Sequence, residues 1–72
     1  MLFSERLNQI RRNNSLSQAT VAKAMQMSLR SYQRYEHGER EPGLSTLVAL
    51  ADFFAVSIDY LVGRTDNPQV NR

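Results

Sequence analysis

Arg30, Gln33 and Arg34 fall within five consecutive residues, two positions after Ser28. Two kinds of hydrogen-bond fork are present in them. The planar arginine guanidinium matches a phosphate or the O6 and N7 atoms of guanine, and the glutamine amide matches N6 and N7 of adenine. Leu29, just before them, can touch a thymine methyl. With Ser31, these residues make a polar front suited to the edges of base pairs. Arg30 is the first choice for a base contact, since one side chain reaches both guanine acceptors.

Catalysis finds little support. It needs a base, a nucleophile or a metal held in a pocket. The chain has no cysteine, and its single histidine, His37, sits beside Gly38 without partners for a zinc site. The acids are scattered singly. Ser17, Ser28 and Ser57 each stand where a helix begins, a duty that accounts for them. The expectation is no enzyme, no metal, no cofactor and no small-molecule ligand.

Charge is unevenly placed along the 72 residues, whose formal net charge is +2. Residues 11–40 hold six cations (Arg11, Arg12, Lys23, Arg30, Arg34, Arg40) against Glu36 and Glu39, a balance of +4. The remainder holds three arginines against five acids, a balance of −2. Eight of the nine basic residues are arginine. A basic segment of this kind suits a polyanion. No apolar run approaches the ~20 residues needed to span a bilayer, and no charged-then-apolar leader opens the chain. A reducing cytoplasm is the expected setting.

These side chains must be carried by short helices. Ser17, Ser28 and Ser57 can each accept a bond from free N–H groups of a first turn. Each is flanked by a hydrophobic staple, an apolar residue before it and another four residues after. The pairs are Leu16 with Val21, Met27 with Tyr32, and Val56 with Leu61. Five helices are expected, and no strands. The first runs over Phe3–Asn13, with Phe3, Leu7 and Ile10 on one stripe, and ends at Asn13-Asn14-Ser15. The second covers Gln18–Met25 and the third Leu29–Glu36, closed by His37-Gly38. The fourth covers Leu44–Phe54, with Leu44, Leu47, Val48, Ala51 and Phe54 inward. The fifth is short, Ile58–Val62, ending at Gly63. One domain over residues 3–63 follows, with 64–72 a polar tail expected to fray.

The order and spacing of several short motifs carry a resemblance. Ser17-Gln18 opens helix 2, Val21-Ala22 lies within it, and Ser28 opens helix 3. Tyr35-Glu36-His37-Gly38 closes helix 3, Glu41-Pro42 follows, then the Leu47/Ala51/Phe54 spacing, and Val56-Ser57-Ile58-Asp59-Tyr60-Leu61-Val62-Gly63 comes last of the motifs. Together they resemble the Cro/CI-type helix-turn-helix of phage repressors and xenobiotic-response-element regulators, over about residues 3–63. The resemblance implies an all-α, five-helix lambda-repressor-like DNA-binding domain with the helix-turn-helix formed by helices 2 and 3. It implies a transcriptional regulator, in the repressor sense, acting on a double-stranded DNA operator.

Residue by residue, the resemblance places Ala22 where helices 2 and 3 cross, and buries Met25, Met27, Tyr32 and Tyr35. It pairs Arg11 with Glu36 as a structural salt bridge between helices 1 and 3. Base reading falls to Leu29, Arg30, Ser31, Gln33 and Arg34. Backbone phosphate falls to Gln18 above all, then Ser17, Ser28, His37, Arg40 and Arg11. Phe53, Ile58 and Tyr60 are candidates for pairing two copies, as the C-terminal helix does in related repressors. A homodimer would suit a roughly palindromic operator. The rival reading is an antitoxin or adaptor that uses this apolar surface to grip another protein.

Three positions depart from the family's pattern. Gln26 stands at the usual turn glycine, where a left-handed backbone costs roughly 1–2 kcal/mol. Ser15 replaces a frequent glycine after helix 1. Thr20 replaces the glutamate of a capping box.

Overall fold

A computed structural model of the chain describes residues 2–69. Five helices follow in order: α1 (Phe3–Asn13), α2 (Gln18–Ala24), α3 (Leu29–Glu36), α4 (Leu44–Phe54) and α5 (Ile58–Leu61). No strand occurs among the described residues. Helices α2 and α5 each stop one residue short of the expected end, because Met25 and Val62 take the C-cap position.

The three serines act as caps. Ser17 accepts from the Thr20 N–H, Ser28 from Ser31 and Ser57 from Tyr60, each three residues on. Thr20 compensates for the missing glutamate with its own hydroxyl, which shares a 2.8 Å hydrogen bond with Ser17.

All five helices end in the same way. A left-handed residue follows the cap in four of them and is the cap itself, Ala55, in α4; the next N–H then reaches back five residues to a free carbonyl. The left-handed positions are Ser15, Gln26, Gly38, Ala55 and Gly63. The closing bonds run from Leu16 to Arg11, Met27 to Ala22, Glu39 to Arg34, Val56 to Ala51 and Arg64 to Asp59. Gln26 therefore does adopt the strained conformation, at φ 58°.

Helix α3 packs against α2 and α1, while α5 packs against α4 and α1. The core joins Leu7 and Ile10 of α1, Val21 and Ala22 of α2, Tyr32 and Tyr35 of α3, Leu50 and Ala51 of α4, and Leu61 of α5. Leu16, Met25, Met27, Leu47, Phe54 and Val56 close its edges. Truncating Leu7, Leu50 or Leu61 to alanine would each cost about 2–5 kcal/mol, a large fraction of what a domain this small holds.

The inward face of α4 corrects the expected one. Leu44 is 76% exposed and Val48 is 38% exposed, whereas Leu50 is fully buried. The helix is apolar nearly all round, so periodicity alone does not choose the stripe. Packing against α5 turns Leu47, Leu50, Ala51 and Phe54 inward instead.

The stretch after Gly63, expected to fray, touches the fold at two places. Arg6 donates to Asp66 Oδ1 at 3.1 Å and to the Thr65 carbonyl, and the Ser57 N–H donates to the Pro68 carbonyl. Residues 70–72 of the expected tail lie outside the described residues.

Candidate nucleic-acid interface

Helix α3 has two faces. Tyr32, Tyr35 and Glu36 are buried, and they fix the helix against α1 and α2. Leu29, Arg30 and Arg34 are exposed, while Ser31 and Gln33 are half-buried between the two faces. Neither Arg30 nor Arg34 makes a hydrogen bond or ion pair among the described residues, so both forks are free to meet a ligand.

Glu36 is the hub beneath this surface. Its Oε2 accepts from Arg11 Nε at 2.6 Å, and its Oε1 accepts from Asn8 Nδ2 (2.8 Å), Arg11 Nη2 (3.1 Å) and Gln18 Nε2 (3.1 Å). Burial by itself would raise the Glu36 pKa. The hydrogen bonds from Arg11 and its neighbours outweigh burial and hold the pKa at about 2. The carboxylate is thus ionised across the physiological range. Tyr32 lies next to this pair, with its hydroxyl buried and lacking a hydrogen-bond partner. Burial first, then its interaction with the neighbouring Glu36 carboxylate, pushes its pKa up.

The expected Arg11–Glu36 bridge is therefore present, and it occupies most of Arg11. A third donor, Nη1, caps the Leu16 carbonyl at 2.7 Å, and the Arg11 pKa is raised chiefly by its hydrogen bond to Glu36. Two of the five guanidinium protons remain. The Arg11 side chain is 13% exposed, which leaves little of it for phosphate.

Gln33, expected to read bases, has a structural partner as well. Its Nε2 donates to Gln18 Oε1 at 3.1 Å, so the glutamines of α2 and α3 are linked. Gln18 keeps one N–H for an anion at the start of α2. Ser17 and Ser28 are exposed caps. The Ser28 hydroxyl donates to Ser31 Oγ at 2.9 Å, which binds the two into one unit. His37 and Arg40 lie exposed beyond the end of α3, with His37 Nδ1 3.8 Å from Glu39 Oε1.

The three candidates for pairing two copies divide. Phe53 (41% exposed) and Ile58 (39%) stand on the surface with Val48, beside a groove between α4 and α5. Phe53 is held edge-on to Phe54, with ring centres 5.0 Å apart. Tyr60 instead turns into the fold, its ring 3.9 Å beneath the Arg6 guanidinium. Arg6 is 4% exposed, a burial that nothing in its sequence neighbourhood announces. Asn8 was missed as well, although it lies three residues from Arg11 and so shares its helix face.

Residues 7–61 match the family described as helix-turn-helix. Among relatives, the cryptic phage CTXphi transcriptional repressor RstR of Vibrio cholerae is 42% identical over 71 residues, 96% of this chain and 63% of that protein. The HTH-type transcriptional regulator YobD of Bacillus subtilis is 36% identical over 67 residues, 93% of this chain and 60% of that protein. The chain thus spans under two thirds of the length of these curated relatives. Among solved structures, the P22 c2 repressor in complex with a synthetic operator superimposes with a TM-score of 0.80 at 31% identity. That alignment covers 86% of this chain and 94% of the repressor chain. Since the match runs from within α1 to the last residue of α5, this chain belongs to the helix-turn-helix family.

Proposed function

We propose that this chain is a DNA-binding transcriptional regulator, most simply a repressor, that inserts α3 into the major groove while α2 crosses the sugar-phosphate backbone. The observation that carries the reading is the division of α3. One face is locked into the core, and the other presents two arginines that have no duty in the fold. Exposed arginine forks on a short, rigidly seated helix suit guanine edges and phosphates. The relatives' names point the same way, and the P22 c2 repressor was solved on an operator.

In this reading Arg30, Arg34, Gln33, Leu29 and Ser31 face the bases. Gln18, Ser17, Ser28, His37 and Arg40 meet the backbone, with Arg11 chiefly structural. Residues 3–63 form the binding unit, and the regulator acts in the cytoplasm, where bacterial DNA is found. Two copies bind a roughly palindromic operator with half-sites about 34–36 Å apart. A pure protein-binding module leaves the free arginines of α3 unaccounted for.

Titrating fluorescent duplexes selected from a random pool, between about 50 and 200 mM salt, tests the reading. Affinity should fall steeply with salt as counterions are released. Arg30→Ala should lose about 1–3 kcal/mol and relax preference at one base pair. A flat salt response, or no binding to any duplex, refutes the proposal.

A further inference from the structure

Helix α5 has four residues, a single turn, and a helix that short is marginal in water unless other parts of the chain hold it. Gly63, at φ 84°, reverses the chain after it, and the Arg64 N–H closes the turn onto the Asp59 carbonyl. Two side-chain turns then bend residues 65–69. Thr65 Oγ1 accepts from the Asn67 N–H at 3.2 Å, and Asn67 Oδ1 accepts from the Gln69 N–H at 3.1 Å. The Pro68 carbonyl thereby returns to the Ser57 N–H, at 3.0 Å. Ser57 is the N-cap of α5, so the segment that leaves the end of this helix bonds to its beginning. In a capping box, that N–H is met by a glutamate or glutamine at the third helical position. Here Tyr60 stands at that position, and the Pro68 carbonyl supplies the acceptor. The caps Ser17 and Ser28 have no such bond at their own N–H among the described residues.

The same segment also meets a buried charge. Arg6 is 4% exposed and stacks on Tyr60 of α5, and the acceptors it reaches among the described residues are the Thr65 carbonyl and Asp66. We propose that residues 65–68 are a strap that seats α5 for pairing, fixing the turn that presents Ile58 to a second copy. This rests on the proposed pairing of two copies. Ser57 and Ile58 line the groove between α4 and α5, so the bond from Pro68 is made at the edge of the pairing surface itself. A turn already held in its bound pose loses less freedom on association, and pairing is the stronger for it. Helix α3 packs against α1 and α2, away from the strap. The strapped and unstrapped chains therefore differ in pairing and not in the reading of a single half-site.

The test compares the full chain with Asn67→Pro and Asn67→Asp. Proline has neither the N–H that bonds Thr65 nor an oxygen for Gln69, and it drives Asp66 toward an extended backbone, so both turns are lost. Aspartate keeps both groups and should behave as the wild type. Amide hydrogen exchange reads the strap directly. In the wild type the Ser57 amide should be protected relative to an unstructured peptide, where those of Ser17 and Ser28 are not. In Asn67→Pro its exchange should speed up roughly tenfold or more, with the amides of α1–α4 unchanged. Sedimentation should show weaker pairing, and the advantage of a full operator over a half-site should shrink while half-site binding persists. An unprotected Ser57 amide in the wild type overturns the proposal, as does protection that survives in Asn67→Pro. Faster exchange at Ser57 with undiminished pairing overturns it too, and a loss of protection throughout α1–α4 would make the segment a support of the whole fold instead. These outcomes leave the DNA reading and the pairing of two copies standing. A wild-type chain that never pairs, at high concentration or on DNA, overturns the pairing reading and the strap's purpose with it.

Discussion

The guanidinium of Arg6 lies over the ring of Tyr60, 3.9 Å from its centre, and joins α1 to α5 through a cation–π contact between a buried arginine and a half-buried tyrosine. The same guanidinium reaches Asp66, whose carboxylate is fully exposed. One cation therefore makes a dry contact and a wet one, and the two should differ in worth. An exposed ion pair contributes little, while a desolvated cation–π contact and the packed stem of the arginine contribute more.

Arg6→Ala should accordingly cost about 2–3 kcal/mol in urea unfolding, from the lost stack and the lost stem packing. Asp66→Asn should leave the unfolding midpoint nearly unchanged. If Asp66→Asn proves as damaging as Arg6→Ala, the ion pair and not the stack secures α5.

Acid should act through Glu36. Its folded pKa of about 2 lies below the ordinary 4.5, so the unfolded chain takes up the proton more readily. The resulting stabilisation, on the order of 3 kcal/mol, is fully present above about pH 4.5 and is lost as pH falls toward 2. Unfolding free energies across this window should drop more steeply for the wild type than for Glu36→Gln, which has no proton to take up. At neutral pH the same variant should cost about 3–5 kcal/mol, because Arg11 is left partly buried without its counter-charge. Parallel pH profiles for the two proteins would refute this assignment.

The helix ends offer the opposite kind of change. Gln26 and Ala55 both sit in the left-handed region without being glycine, at φ 58° and φ 56°. Gln26→Gly and Ala55→Gly should each raise stability by about 1 kcal/mol, as relief of strain exceeds the added chain entropy. The sites lie at the ends of different helices, so the gains should add. Thermal unfolding of the single and double variants decides the matter, and a loss of stability in either single variant would contradict it.

Much of this fold was legible because its helix starts are announced locally. A serine with an apolar residue before it and another four after is a signal a reader can find without any tertiary knowledge, and Ser17, Ser28 and Ser57 all carry it. The ends were half legible. Gly38 and Gly63 advertise a left-handed backbone, whereas Ala55 adopts the same conformation with nothing in its type to suggest it. What packing alone decides stayed hidden. In α4, Leu44, Val48 and Leu50 are equally apolar, and only the neighbouring helices select which of them is buried. Arg6 and Tyr60 meet across more than fifty residues of chain, and each by itself looks like a surface residue. The Gln18–Gln33 bond likewise depends on how α2 and α3 cross, so nothing in the sequence announces it.

The stacking of Tyr60 against Arg6 reshapes the question of pairing. A change at Tyr60 would loosen Arg6 and α5 together, and any loss of association would be confounded with a loss of fold. Ile58 offers a cleaner probe. It is 39% exposed at the start of α5, with Val48 lining the same groove and exposed Phe53 on the adjoining helix. Ile58→Asp should therefore leave the helical content unchanged by circular dichroism, because no core contact of a fully buried residue is removed. In a dimer, the same carboxylate would be buried without a partner, a cost of several kcal/mol. The variant should sediment as a monomer and bind a full operator little better than a half-site, since it loses the raised effective concentration of the second copy. A wild-type chain that stays monomeric at high concentration and on DNA would remove the pairing claim and leave the role of α3 untouched.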